Sequence, residues 1–189
     1  MRFGTNKIIT AFIVVFLLMP LVSLAASQEF FVKPGLLPDS SLYVLDVWSE
    51  ELRYFFTFGK VNKAEYKIRV AEERLSELKA LYEKGVSDYT EYLLNKYQEE
   101  ILQAQELYAQ VKLNSAEKVE ELQNYTEDQI LLNQSQVNSF LVQTVPDKYD
   151  NLVDSTVGGV VSGFQGLLNH LDEKNKQIQE KKKNLGVGE

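Results

Sequence analysis

An all-α fold follows from three observations. From Asn62 to Val111, apolar residues recur at spacings of four and three, which draws one buried stripe along each helix. The central hundred residues are rich in Leu, Glu, Lys, Gln and Ala, good helix formers, and the whole chain has 4 prolines. Strand-like alternation is scarce. The expected architecture is one short and four long helices in an elongated antiparallel bundle or hairpin array with coiled-coil-like seams. An N-terminal signal or anchor helix precedes them. The expected divisions are residues 1–25 as signal peptide, 26–38 as linker, 39–172 as helical domain and 173–189 as polar tail.

The chain begins like a secretory leader. Arg2 and Lys7 give a positive start, Ile8 to Leu18 an almost unbroken apolar core, and Pro20 a break. Ser23-Leu24-Ala25 offers small residues for cleavage after Ala25. The alternative is an uncleaved membrane anchor over residues 8–26, which is nearly long enough to span a bilayer. Either way the remainder is expected outside the cytoplasm, at the cell surface or in a periplasm-like space. The linker holds the turn formers Pro34-Gly35 and Leu37-Pro38.

Asp39 or Ser40 is expected to cap the first, short helix. Leu42, Leu45, Trp48, Leu52, Phe55 and Phe56 share one face of it. Aromatics at helical spacing normally pack, so this face is expected in the core. An aromatic ligand pocket is the alternative. Phe58-Gly59 should end the element.

Asn62 to Lys84 is the helix around which the chain is organised. Ala64, Ile68, Ala71, Leu75, Leu78 and Tyr82 form its stripe. Glu65, Arg69, Glu72, Glu73, Arg74, Glu77, Lys79 and Glu83 are assigned to its other faces. Gly85 is placed to end it. Ser87 should cap the next helix, whose stripe is Thr90, Leu94, Tyr97, Ile101, Ala104, Tyr108 and Val111. The short Lys84–Ser87 turn makes the two antiparallel neighbours.

Ser115 to Thr144 reads as one long helix with a kink near Tyr125-Thr126. Asn124-Tyr125-Thr126 and Asn133-Gln134-Ser135 match the N-glycosylation pattern, whose use depends on the host. Pro146 separates this helix from the last, which carries Tyr149, Leu152, Val153, Val160, Phe164, Leu167, Leu168 and Leu171 on one face. Ser155, Gly159 and Gly163 are four apart, as are Ser162 and Gly166, and make a ridge of small residues suited to close packing; a self-association face or hinge is the alternative. Beyond Asp172 a frayed helix should fade into a loose tail, with Lys181-Lys182-Lys183 solvated.

Many of these residues also carry a resemblance. Pro34-Gly35, Leu37-Pro38-Asp39-Ser40, Tyr43, Leu45, Trp48, Phe55-Phe56-Thr57-Phe58, Lys63-Ala64-Glu65 and Ala71-Glu72-Glu73-Arg74-Leu75 agree in order and spacing with one family over Pro34 to Leu81. The chain there resembles an exported helical domain of unknown function, family 5667, of bacteria and archaea. Val145-Pro146-Asp147 resembles its later helix boundary. The resemblance implies an extracytoplasmic helical domain and carries over no catalytic or binding residue.

Composition excludes several chemistries. The formal net charge of −7, with 27 acids against 20 bases, argues against a nucleic-acid partner. Cysteine is absent, which removes disulfides, thiol catalysis and zinc–thiolate sites. The single histidine, His170, cannot build a zinc protease or di-iron motif, and it follows Asn169 on an apolar helix. Glu72-Glu73 and Glu99-Glu100 could hold calcium weakly but read as solvated helix backs. No catalytic, cofactor-binding or metal-ligating residue is assigned, and no cofactor. The expected function is non-enzymatic: a protein-association, scaffold or chaperone-like module with a protein partner or a second copy. Membrane contact is expected only through an uncleaved N-terminal segment. The alternative is a binding or sensor module for a small ligand or metal.

Overall fold

The computed structural model describes residues 32–184. The leader read over Met1–Ala26 and the end of the tail, residues 185–189, lie outside the described residues. Within them the helices are α1 Tyr43–Phe56, α2 Lys60–Glu83, α3 Thr90–Ala109, α4 Ala116–Leu132, α5 Asn138–Thr144 and α6 Asp150–Asn184. A π turn, Asn133–Val137, runs α4 into α5 as one rod, and a 3-10 turn, Asp147–Tyr149, leads into α6. There is no strand among the described residues. None of the described helices is long and apolar enough to cross a membrane.

The stripes read on α2 and α3 form core, apart from their ends Tyr82 and Val111, which are half-buried. Ala64, Ile68, Ala71, Leu75 and Leu78 of α2 are buried, as are Thr90, Leu94, Tyr97, Ile101, Ala104 and Tyr108 of α3. Gly85, at φ +76°, closes α2. Its N–H donates to the Tyr82 carbonyl at 2.9 Å, and Val86 N–H donates to the Leu81 carbonyl at 2.9 Å. These are the paired bonds of a left-handed helix stop, a conformation glycine adopts without steric cost. Ser87 does not cap α3 through its side chain. Its carbonyl instead accepts from the Thr90 N–H at 3.2 Å and the Thr90 hydroxyl at 2.7 Å.

Four rods alternate in direction. α2 and α3 form the antiparallel hairpin. The α4–α5 rod runs against α3, since Tyr97 donates to Asn133 and the Tyr108 and Tyr125 rings lie 5.4 Å apart. It also runs against α6, where Gln123 donates to Asp172 at 2.6 Å. α6 runs parallel to α3. Gln105 Nε2 donates to the Val160 carbonyl at 2.9 Å, and the Tyr149 hydroxyl reaches the Ser87 carbonyl at 3.4 Å. This is an up-down-up-down bundle.

The glycine ridge is where α3 presses on α6. A Cβ at Gly159 would stand 2.1 Å from Gln98 Nε2, and one at Gly163 would stand 1.9 Å from Gln105 Oε1. The close packing expected of the ridge is met at Gly163, against buried Gln105, and at Gly159, against the end of the Gln98 side chain; Ser155, Ser162 and Gly166 are exposed and do not share in it. The irregularity expected near Tyr125-Thr126 falls instead at Asn133–Val137. Thr126 is buried in regular helix, its hydroxyl donating back to the Leu122 carbonyl at 2.7 Å. Asn133 is drawn inward: its Oδ1 accepts the Tyr97 hydroxyl, and its Nδ2 donates to the Gln129 carbonyl at 2.8 Å. A widened turn accommodates that side chain. Asn133 is thus out of reach of a glycosyl donor in the folded chain, whereas Asn124 is exposed. Past Leu171, α6 stays helical to Asn184.

Candidate functional site

α1 is oriented against its composition. Leu42, Leu45, Trp48, Leu52, Phe55 and Phe56 do share a face, but the expectation that it is core is overturned. All six are exposed, from 53% for Leu42 to 75% for Trp48, and Val44 joins them at 71%. The side turned to α2 carries Tyr43, which is buried, with Asp46, Val47 and Glu50 half-buried beside it. The helix opens with no side-chain cap: Ser40 Oγ takes the Leu42 N–H at 3.2 Å, and Asp39 pairs with Lys84 at 3.1 Å.

The cause lies on α2. Arg74 and Glu77, expected on solvated faces, are 3% and 0% exposed. A buried guanidinium needs acceptors. Arg74 donates to Glu77 from its own helix and to Glu50 from α1, and Nη1 donates to the Tyr43 hydroxyl at 2.8 Å. That hydroxyl in turn donates to Glu77 at 3.1 Å. α1 must therefore present its polar side inward, and its apolar side goes out. The Tyr66 hydroxyl donates to the Glu50 carbonyl at 3.0 Å, and the Tyr92 ring meets Tyr43 edge-on with centroids 6.2 Å apart.

The electrostatics match this geometry. Burial pushes Glu77 up to about 7 against the pull of Arg74. One guanidinium faces two carboxylates, which leaves surplus negative charge in the pocket. Burial likewise raises Glu50 and Glu73. Burial alone would lower Arg74, but Glu77 and Glu50 outweigh it and hold the guanidinium charged. Burial also raises the Tyr43 phenol, which stays protonated.

At the rim, Asp46, Glu50 and Glu73 bring one oxygen each within 4.8 Å of one another. The strap before α1 closes over them. Leu36 N–H donates to Asp46 at 2.9 Å, and a Cβ at Gly35 would stand 2.4 Å from Asp46 Oδ2 and 2.6 Å from Glu73 Oε1. Val32 is fastened further along, its carbonyl accepting from Ser76. Sequence reasoning missed this convergence. Its signal was the i, i+4 pair Asp46 and Glu50 on the same side as Tyr43, opposite the apolar row. The three carboxylates could take a cation, with the Arg74 charge on Glu50 competing for the same oxygens. Of the acidic pairs read as solvated, Glu100 pairs with Lys67 at 2.8 Å. His170 lies half-buried on α6.

Fold and site together define an all-α bundle with an outer helix pinned by its polar side and apolar on its free side. The chain belongs to the family described as Domain of unknown function (DUF5667), which matches residues 35–129. The matched span takes in Gly35, Tyr43, Glu73 and Arg74, which the fold gathers at one place. No curated protein and no solved structure matches the chain.

Proposed function

We propose that this protein is a non-enzymatic helical module outside the cytoplasm, scaffold or chaperone-like, and that it works by association through the outward face of α1. One observation carries the reading: a row of large apolar side chains, Leu45, Trp48, Leu52, Phe55 and Phe56, faces away from the bundle. Contiguous apolar surface of that kind marks an interaction site. The export half rests on the leader pattern of Met1–Ala26. The Arg74 cluster supports a bracing role, since its groups are spent on one another. A photocrosslinker at Leu52, activated in the native envelope, is expected to join a neighbour, and the same probe at exposed Glu65 is not. No adduct at Leu52 would overturn the reading.

A second reading, a binding module for a metal, is favoured by the Asp46, Glu50 and Glu73 convergence. A thermal-shift series with calcium and manganese tests it, because a cation held only by the folded state raises the melting point. A shift that Asp46→Asn abolishes would support this reading, and no shift would remove it.

A further inference from the structure

We infer that the occupant of the α1 face is a lipid surface, with α1 lying flat in the bilayer–water interface. The inference rests on the association reading above and names its partner.

The outward face of the helix has the apolar makeup of an interfacial element, while its charged residues, Asp46, Glu50 and Glu51 against Arg53, suit a zwitterionic rather than an anionic surface. At 3.6 residues per turn, Val44, Phe55, Trp48, Leu52, Leu45, Phe56 and Leu42 cover roughly 160° of its circumference. The one polar residue inside that arc is Ser49. Exposed Glu51 and Arg53 border it. Trp and Phe on such a face are the side chains that enter the headgroup boundary. A fluid apolar phase sets no demand for matching polar partners, and this face offers almost none. A second copy or a specific protein would ordinarily meet polar groups that fix register. The apolar surface also runs on past the helix, through Phe58 at 78% and Val61 at 41% exposure.

Geometry leaves the face free. Tyr43 and Glu50 pin the opposite side to Arg74, so the whole 14-residue helix, about 21 Å long, lies against the bundle with its apolar side free.

With the leader kept as an uncleaved anchor, chain length supplies the bilayer. The apolar run Ile8–Ala26 ends six residues before Val32, whose carbonyl is held by Ser76 of α2. Six extended residues reach about 20 Å at most. A membrane that holds an uncleaved run is therefore tethered within about 20 Å of Val32 along the chain. Tethering at this distance raises the effective concentration of the surface, so weak interfacial contact suffices.

Trp48 is the protein's one tryptophan and sits at the middle of the face. The test uses the full chain reconstituted in phosphatidylcholine vesicles carrying bromine at shallow or deep acyl positions. The expected result is blue-shifted emission, quenched more by shallow than by deep bromines. In the L52D/F55D variant, the emission should shift to the red and the quenching should be lost, with far-ultraviolet dichroism unchanged. Blue-shifted emission that neither lipid quenches would mean that protein covers the face; the lipid inference would fall and the association reading would stand. Quenching as strong from deep as from shallow bromines would overturn the interfacial placement. Red emission in the unmutated chain would overturn the lipid inference alone, because a face kept for a protein partner also stays in water in vesicles that lack the partner.

Discussion

Arg74 Nη1 lies 2.8 Å from the Tyr43 hydroxyl, and this bond joins α2 to the buried side of α1. Tyr43 is the only residue of α1 that is buried. The helix therefore meets the bundle through a charged, hydrogen-bonded brace and the Tyr54 ring against Tyr66 rather than through its apolar row. The brace faces the bundle, so the helix's large apolar side chains are left outside.

Removing the guanidinium should be costly. Arg74→Met would leave Glu77 and Glu50 without their cation in a desolvated pocket. Breaking a buried pair in this way costs about 3–5 kcal/mol. Tyr43→Phe removes one hydroxyl from the same network and should cost about 1–2 kcal/mol. Urea denaturation of both variants measures this. A loss below about 1 kcal/mol for Arg74→Met would mean that the brace does not hold α1.

A pair of leucines distinguishes the two kinds of apolar residue. Leu75 is 1% exposed and Leu52 is 55% exposed. Leu75→Ala should cost about 2–5 kcal/mol, because a cavity opens between packed helices. Leu52→Ala in water should change stability by less than about 0.5 kcal/mol. Comparable losses at both positions would show that the α1 face is covered within the folded domain.

Leucine spacing made α2 and α3 legible, because a four–three stripe in a long run has one way to be buried. The turn at Gly85 was legible for the same local reason. The facing of α1 was not. Its apolar row reads as core by periodicity, and only the burial of Arg74, an event on another helix, reverses it. Arg74 and Glu77 were hidden in turn because charges at i and i+3 usually mark a solvated back. The widening at Asn133 was equally invisible, since it answers to Tyr97 on α3.

Mild acid should stabilise the fold. Glu77 titrates at about 7 in the folded chain against an ordinary 4.5, because burial disfavours its charged form. Between those values the folded state holds more protons than the unfolded state. This contribution is full below about pH 4.5 and is lost as pH rises through about 7. Glu50 and Glu73, raised by burial, act in the same direction. The urea midpoint should be higher at about pH 5.5 than at about pH 8, and Glu77→Gln should narrow the gap. Equal midpoints in the unmutated protein would show that Arg74 keeps Glu77 ionised throughout.

The glycines of α6 predict opposite signs for one chemical change. Alanine is favoured over glycine in a helix by about 0.5–1 kcal/mol. At Gly158 and Gly166 a Cβ meets nothing within 4 Å. Each Gly→Ala change there should stabilise the fold by about that amount. At Gly163 the new Cβ would stand 1.9 Å from Gln105 Oε1 and 2.8 Å from its Cδ. Gln105 is itself buried and donates to the Val160 carbonyl at 2.9 Å. It has to move and forfeit that bond, or α6 has to back away from α3. Either response costs about 1–3 kcal/mol and outweighs the helix gain. Gly163→Ala should therefore lower the melting temperature while Gly158→Ala and Gly166→Ala raise it. If all three raised it, α3 and α6 would not approach as closely at Gln105 as the fold places them.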